Sequence, residues 1–310
     1  MNTQHLRYAL EIERTRSITQ AASNLYMAQP NLSKAIRELE ESLGYEIFHR
    51  SSRGVTPTEK GKTFLDYAHN ILVELEKMQS LGRQQEEGSQ SISIAIPRAS
   101  YLGTAFTRFI AQMNPGQPID ARLEESNSMQ VIESVRNGSA QLGVIRYQDV
   151  YENYHIDYLE SNKLRYETVW SFTYLLLMSA EHPMAKQEEI HLSDLSHYVE
   201  IVHGDTIVPY ISTADYSPAG SKEGRRISLY ERLNQFDILS GAPYTFMWTS
   251  PIPQEIMERY GLAQRRCADS ETVFKDVMIY RDKYRFGEME KKFIWMMFQS
   301  RDEVAAVEYK

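Results

Sequence analysis

Residues 17–61, SITQAASNLYMAQPNLSKAIRELEESLGYEIFHRSSRGVTPTEKG, constrain the fold more than any other stretch of the chain. They pattern as two short amphipathic helices joined by a tight turn, then a basic, turn-rich loop. In the first helix Ala21, Ala22 and Leu25 share a face, and small alanines let a second helix cross closely. In the second, Leu32, Ile36, Leu39 and Leu43 recur at four, three and four, a stripe that buries one side. The other side carries Gln29, Asn31, Ser33, Lys34 and Arg37, side chains able to donate to phosphates or base edges. This is the layout of a helix-turn-helix whose second helix enters a major groove.

An amphipathic helix pair alone is more often plain core. The segment C-terminal to this pair favours DNA. Ile47 and Phe48 are apolar and suited to anchor a short strand or loop to the helices. His49-Arg50-Ser51-Ser52-Arg53-Gly54 then sets two arginines around a turn before Val55-Thr56-Pro57-Thr58. A basic hairpin beside a recognition helix is a wing, suited to phosphates or a minor groove.

Together these residues resemble the N-terminal domain of LysR-type transcriptional regulators. The matching motifs are Leu6-Arg7-Tyr8, Ser17-Ile18-Thr19-Gln20-Ala21-Ala22, Gln29-Pro30-Asn31-Leu32-Ser33, Ile36-Arg37-Glu38-Leu39-Glu40, Ile47-Phe48-His49-Arg50 and Thr58-Glu59-Lys60-Gly61. The resemblance implies that Gln29, Pro30, Asn31, Ser33, Lys34 and Arg37 meet double-stranded DNA, with Arg50 and Arg53 reaching it from the wing. It also implies an imperfect palindromic operator, a homodimer or homotetramer, and RNA polymerase as a further partner if the chain is an activator. One position departs from the family pattern: Ala28 stands where Ser or Thr usually caps the recognition helix. Losing that cap costs on the order of 1 kcal/mol of helix stability. Pro30, pre-set for a first helical turn, offsets part of it.

The charge is unevenly distributed. The first sixty residues hold eight basic and seven acidic side chains, a net +1, which leaves −9 for the remainder of a chain whose total is −8. A modest basic face on an acidic body fits a sequence-specific binder whose bulk has another task. With one cysteine, Cys267, neither an internal disulfide nor a cysteine metal cluster is expected. MNTQHLRYALEIE lacks an apolar signal-peptide core and no run reaches the length of a membrane span. A cytoplasmic protein with no membrane partner is expected.

From Thr58 to about Glu87 the chain is free of proline and reads as one helix. Phe64, Ala68, Ile71, Leu75 and Met78 mark a heptad seam along it. Such a helix spans roughly 40 Å. It suits self-association, because a palindromic site needs two recognition helices; the alternative is a surface helix packed on its own domain. Gln84–Gln90 then reads as a polar hinge.

Past residue 91 strands and helices alternate: strands at 92–96, 119–123 and 141–145, and helices at 101–113 and 128–137. This spacing predicts βαβ units and a mainly parallel sheet. A second set comes at 174–178, 192–195, 199–202, 229–239, 244–249 and 256–260, before a strand at 274–280 and a helix at 288–300. The pattern resembles the two-lobed α/β effector domain of the same family, similar in fold to type 2 periplasmic binding proteins. The expected organisation is a winged helix-turn-helix, dominated by α-helix, at 1–61 and a linker helix at 58–87. Lobe I is expected at 91–168 and 280–310, and lobe II at 169–279.

In an open α/β sheet a ligand sits beyond the carboxyl ends of the strands. The residues placed there are Arg98, Ser100 and Tyr101, then Ser126 and Ser128, then Arg146, with His203 and Thr249 from the second set. Ser100 and Ser128 open helices, whose N-termini favour anions, and Arg98 and Arg146 add charge. A small-molecule effector, a carboxylate or phosphate, is the expected guest. Against this, the serines suffice as helix caps, and the arginines can face water or pair with Glu124 and Glu125. His203 and Asp205 read more simply as loop residues, and the twenty tyrosines as packing.

An enzyme is the competing class. No G-x-S-x-G, phosphate-cradling G-x-x-x-x-G-K-[ST] or H-E-x-x-H occurs. His182, His191, His197 and His203 do not fall on one helical face with a carboxylate. No catalytic residue, cofactor or metal ligand is therefore assigned. A solute-binding protein without a DNA-binding role is the other alternative.

Overall fold

The computed structural model describes residues 2–51, 54–84, 90–204, 225–230 and 235–309. The chain forms two compact units. One comprises Met1–Ser89 with Asn137–Ser139, the other Gln90–Arg136 with Ala140–Lys310.

The first unit contains helices α1 (Thr3–Thr15), α2 (Ile18–Asn24) and α3 (Gln29–Leu43), strands β1 (Phe48–Ser51) and β2 (Gly54–Pro57), and helix α4 (Glu59–Gln84). Ser17 caps α2 by accepting from the Gln20 N–H. Ala28 gives α3 no side-chain cap, and Pro30 stands in its first turn, both as the sequence implies. Ala21, Ala22, Leu32, Ile36 and Leu39 are buried together with Leu6, Ala9 and Ile12 of α1 and Phe64, Leu65 and Ala68 of α4.

β1 and β2 pair antiparallel from Phe48↔Pro57 to Ser51↔Gly54, which makes the expected wing. Two contacts fix it. The Val55 N–H donates to the Arg16 carbonyl (3.0 Å), and the Glu40 carboxylate accepts from the Ile47 and Phe48 N–H groups (2.8 and 3.1 Å). The wing's base is thus tied to α3 by one side chain. The Thr-x-x-Gly motif has an equally direct cause. The Thr58 hydroxyl donates to the Glu46 carbonyl and accepts from the Gly61 N–H, each at 2.8 Å. A Cβ on Gly61 would lie 2.0 Å from the Ile47 carbonyl oxygen, so only glycine lets α4 start against the wing.

The expected heptad seam divides. Phe64 and Ala68 belong to the core of their own unit, whereas Ile71 and Met78 are 45% and 67% exposed. The polar hinge expected from Gln84 onward lies almost wholly outside the described residues.

The second unit has two five-stranded sheets. Its elements are β3 (Gln90–Ile96), α5 (Ser100–Ala111), β4 (Ile119–Glu125), α6 (Ser128–Arg136), β5 (Leu142–Gln148), α7 (Glu152–Ser161), β6 (Leu164–Thr173) and β7 (Leu175–Ser179). After these come β8 (Val199–His203), β9 (Arg226–Leu229), α8 (Gln235–Gly241), β10 (Thr245–Thr249), α9 (Gln254–Tyr260), β11 (Leu262–Arg265), β12 (Val273–Arg281) and α10 (Glu288–Ala305). The first sheet runs β4-β3-β5-β12-β6 and the second β11-β7-β10-β8-β9.

Both sheets are mixed rather than mainly parallel. β3, β4 and β5 are parallel, but β12 runs antiparallel to β5 and β6. In the second sheet β8 is parallel to β9 and β10, and β7 is antiparallel to β10 and β11. The cause is the double crossing between lobes: the chain leaves the first sheet after β6 and returns to it as β12. The boundaries expected at 168 and 279 fall inside those two strands.

α7, β6 and β11 have no counterpart in the sequence pattern. β6 is an edge strand whose buried residues, Leu164, Val169 and Phe172, are too widely spaced to alternate. The segment 192–195 is a 3-10 turn, and 229–239 holds the end of β9 and the start of α8, with 231–234 outside the described residues. Gly143 on β5 admits α6 at close range; a Cβ there would come within 2.7 Å of Val135 and 2.9 Å of Val131.

Candidate DNA interface and effector cavity

In the first unit Gln29, Pro30, Asn31, Lys34 and Arg37 are exposed on α3, and Ser33 is half-buried. The Gln29 amide donates to the Ser33 hydroxyl (2.8 Å), so these two side chains already form a pair along the helix. Lys34 lies 3.8 Å from Glu38, one turn on, an exposed pair with little hold on the lysine. Arg50 is exposed on β1 and stands 3.7 Å from Glu40, the same carboxylate that ties the wing to α3. Arg53 lies outside the described residues. The face can offer amides to adenine edges, arginine to guanine edges and lysine to phosphates.

In the second unit a cavity of about 320 Å³ opens between the two sheets, where parallel strands end. The first sheet supplies Arg98 after β3, Ser126 after β4, and Arg146 and Tyr147 near the end of β5. The second supplies Glu200 and His203 from β8 and Trp248 and Thr249 from β10. Seven of the eight residues expected from the sequence, Arg98, Ser100, Ser126, Ser128, Arg146, His203 and Thr249, line it. Tyr101 does not. It is fully buried under α5, because its hydroxyl reaches Asp276 instead. Asp205 lies outside the described residues.

The chemistry of these residues differs from the expectation. Arg146 pairs with neither Glu124 nor Glu125 but with Asp276, its cross-strand neighbour on β12. Its Nε and Nη2 donate to Oδ1 and Oδ2, each at 2.7 Å, a bidentate pair with 7% and 0% side-chain exposure. Asp276 also accepts from the Tyr101 hydroxyl (2.8 Å) and the Trp170 indole N–H (3.4 Å). Burial works against the Arg146 charge, but the Asp276 carboxylate outweighs it and holds the guanidinium's pKa above its ordinary value. Burial and the same carboxylate push the Tyr101 phenol well up. Arg146 also lies 4.8 Å from the Phe172 ring centroid, and its Nη1 donates to Ser250 of the other lobe (3.1 Å).

The serines are equally engaged. Ser128 is the first residue of α6, but the capping side chain is that of Asn127, which accepts from the Gln130 N–H (3.1 Å). The Ser128 hydroxyl instead stitches α6 to β5, donating to the Arg146 carbonyl (2.7 Å) and accepting from its N–H (3.0 Å). Ser126 donates to the Gln130 side chain, and Thr249 accepts from Gln264 (2.8 Å). Ser100 opens α5 without capping it. Arg98, on the rim, reaches across to the Tyr230 carbonyl (3.4 Å). His155 stacks on Tyr147 (centroids 4.5 Å apart) and donates from Nδ1 to the Tyr151 carbonyl. Burial lowers its pKa and favours the neutral ring.

Sequence reasoning missed Asp276, Glu200, Gln235 and Trp248. Asp276 alone carried a signal: a carboxylate inside the apolar strand VFKDVMIYR needs a buried partner. The rest reach the cavity through sheet pairing and loop placement, which no local spacing encodes.

A winged helix-turn-helix joined to a unit with two α/β sheets and a cavity between them defines a known class of regulator architecture. The model of the bacterial regulatory helix-turn-helix protein, lysR family, matches residues 3–62, and that of the LysR substrate binding domain matches 83–207. The chain belongs to the LysR family of transcriptional regulators. Over 152 residues, 47% of this chain, it is 34% identical to the HTH-type transcriptional regulator YcgK of Bacillus subtilis (strain 168). Over 211 residues, 66% of this chain, it is 29% identical to the regulator CysB of Burkholderia cenocepacia. These matches span 45% and 64% of the relatives' own lengths. Among solved structures, that of CbnR, a LysR family transcriptional regulator, has the same fold with a TM-score of 0.60 at 16% identity, covering 97% of this chain and 99% of its own. No described helix is long and apolar enough to cross a membrane.

Proposed function

We propose that the chain is a sequence-specific DNA-binding transcriptional regulator whose affinity or arrangement on DNA responds to a small molecule held between the two lobes. The observation that carries this reading is the exposed polar face of α3, braced beside a wing through Glu40. That CbnR has been crystallised with its target DNA supports it. Two copies meet along the distal part of α4, where Ile71 and Met78 stand exposed at heptad spacing, and place two recognition helices on an imperfect palindrome. The assembly is a dimer or a tetramer of paired dimers, and an activator form contacts RNA polymerase. The protein acts in the cytoplasm, where its DNA is.

The effector enters the cavity and shifts the balance only by its differential affinity for the two arrangements. The anionic class expected from Arg98 and Arg146 loses support at Arg146, whose charge Asp276 already balances. The test is selection of duplexes from a randomised pool by the full-length chain. The expected product is a palindromic consensus with strong salt dependence of binding. Recovery of unrelated sequences, with no enrichment over the pool, would defeat the reading.

A further inference from the structure

Resting on the reading of the cavity as the effector site, we infer that it takes an uncharged planar ring bearing an amide or lactam, with an N–H donor and a C=O acceptor on one edge. Two of the cavity's arginines are already matched by buried carboxylates. Arg146 is held bidentately by Asp276, and Arg226 lies 3.2 Å from Glu200, which is 3% exposed. A carboxylate or phosphate seated here would have to compete with carboxylates already in place.

What the wall leaves open is neutral hydrogen-bonding capacity of both signs. Among the described residues three that line the cavity, Trp248, Gln235 and Tyr147, each carry a buried polar atom (Nε1, Oε1 and Oη) with no hydrogen-bond partner. All three residues are more than nine-tenths buried. An indole N–H only donates, a side-chain carbonyl oxygen only accepts, and a phenol does either. An anion satisfies Trp248 but sets an oxygen against Gln235, and an ammonium fails in the opposite sense. A cis amide unit supplies both partners at once. Leaving such groups unmade is costly, so the ligand that satisfies them gains selectivity over one that does not.

The shape of the guest is set by the rings. Tyr147 lies flat on His155, and Tyr174 on Phe274 with centroids 3.7 Å apart and planes within 8°. These paired rings give the cavity flat, polarisable walls suited to an aromatic or lactam ring. A volume of about 320 Å³ holds one or two fused rings.

The experiment is calorimetric titration of the full-length chain with uracil, hypoxanthine and nicotinamide, and separately with benzoate, phthalate and inorganic phosphate. The first panel is expected to bind, and Trp248→Phe, which keeps the ring and removes the N–H, is expected to weaken that binding about tenfold. Gln235→Met is expected to do the same. Lactam binding unchanged in both variants overturns the proposal, as does preferential binding of the second panel. Ser126→Phe, which fills the cavity, separates the two levels of failure. Carboxylate binding that it abolishes defeats the ligand class and keeps the site. Carboxylate binding that it spares, or no binding by either panel, defeats both.

Discussion

The recognition helix and the effector cavity are built from the same side-chain types, deployed in opposite ways. On α3 the polar side chains of Gln29, Asn31, Lys34 and Arg37 are exposed, while Leu32, Ile36 and Leu39 hold the helix from behind. In the cavity Ser126, Ser128 and Arg146 are bonded to the protein's own groups, and the unmatched polarity sits on Tyr147, Gln235 and Trp248. A convex reader of DNA can leave its polar groups to water between encounters. An enclosed wall cannot do so without loss, and a charge placed there must bring its own partner. Polar residue type therefore marks exposed side chains on α3 and internally bonded ones in the cavity.

The sharpest way to break this contrast is Asp276→Asn. With Arg146 left buried opposite a neutral side chain, the second unit is expected to lose about 3 kcal/mol or more, measured by chemical unfolding. A loss under about 1 kcal/mol would mean that the pair is not an internal commitment. Arg146→Ala disturbs the same pair, so it cannot serve as a clean test of effector contact.

Next in size is Gly61→Ala. The added Cβ meets the Ile47 carbonyl oxygen, and the first unit is expected to lose about 2 kcal/mol as α4 and the wing separate. An unchanged melting temperature would show that the wing's seat is soft.

His182 gives a pH-dependent counterpart. Fully buried, it accepts the Met184 N–H on Nδ1, and burial lowers its pKa from 6.5 to about 4. The unfolded chain takes up a proton below pH 6.5 and the folded chain resists until about 4. Stability is therefore full above pH 6.5 and falls on acidification through that window, by about 3 kcal/mol. His182→Asn, which keeps an acceptor for Met184, is expected to flatten that limb; an identical pH profile would count against it.

The smallest effect concerns the reader. Ala28→Ser supplies the missing cap of α3 and is expected to stabilise the first unit by about 1 kcal/mol without changing which duplex is chosen. A changed consensus would mean that the uncapped end of α3 takes part in recognition.

The first unit was legible because its signals are local. The stripe Leu32, Ile36, Leu39, the small Ala21 and Ala22, and the arginines around a turn each occupy one helix or hairpin. Even there no local spacing marks Glu40 as the wing's anchor, since its bonds to Ile47 and Phe48 depend on how the wing folds back. In the second unit the strand ends located the cavity, and seven of eight residues were placed in its wall. Their roles were not legible, because Arg146 meets Asp276 across 130 residues of sequence and Ser128 meets Arg146 across 18. Register between β5 and β12 decides both the pairing and the fate of Tyr101. Sheet direction was misjudged for a related reason: the return of β12 from the second lobe is a property of topology, which spacing does not carry.

The central claim is that the exposed face of α3 selects DNA while leaving the fold to the residues behind it. Fluorescence anisotropy of wild type and Arg37→Ala on the selected duplex, with melting curves of both, tests it most directly. The expected result is a loss of about tenfold or more in specific affinity, with the melting temperature of the variant within about 1 °C of wild type. Equal affinity of the two proteins for the selected duplex would contradict it.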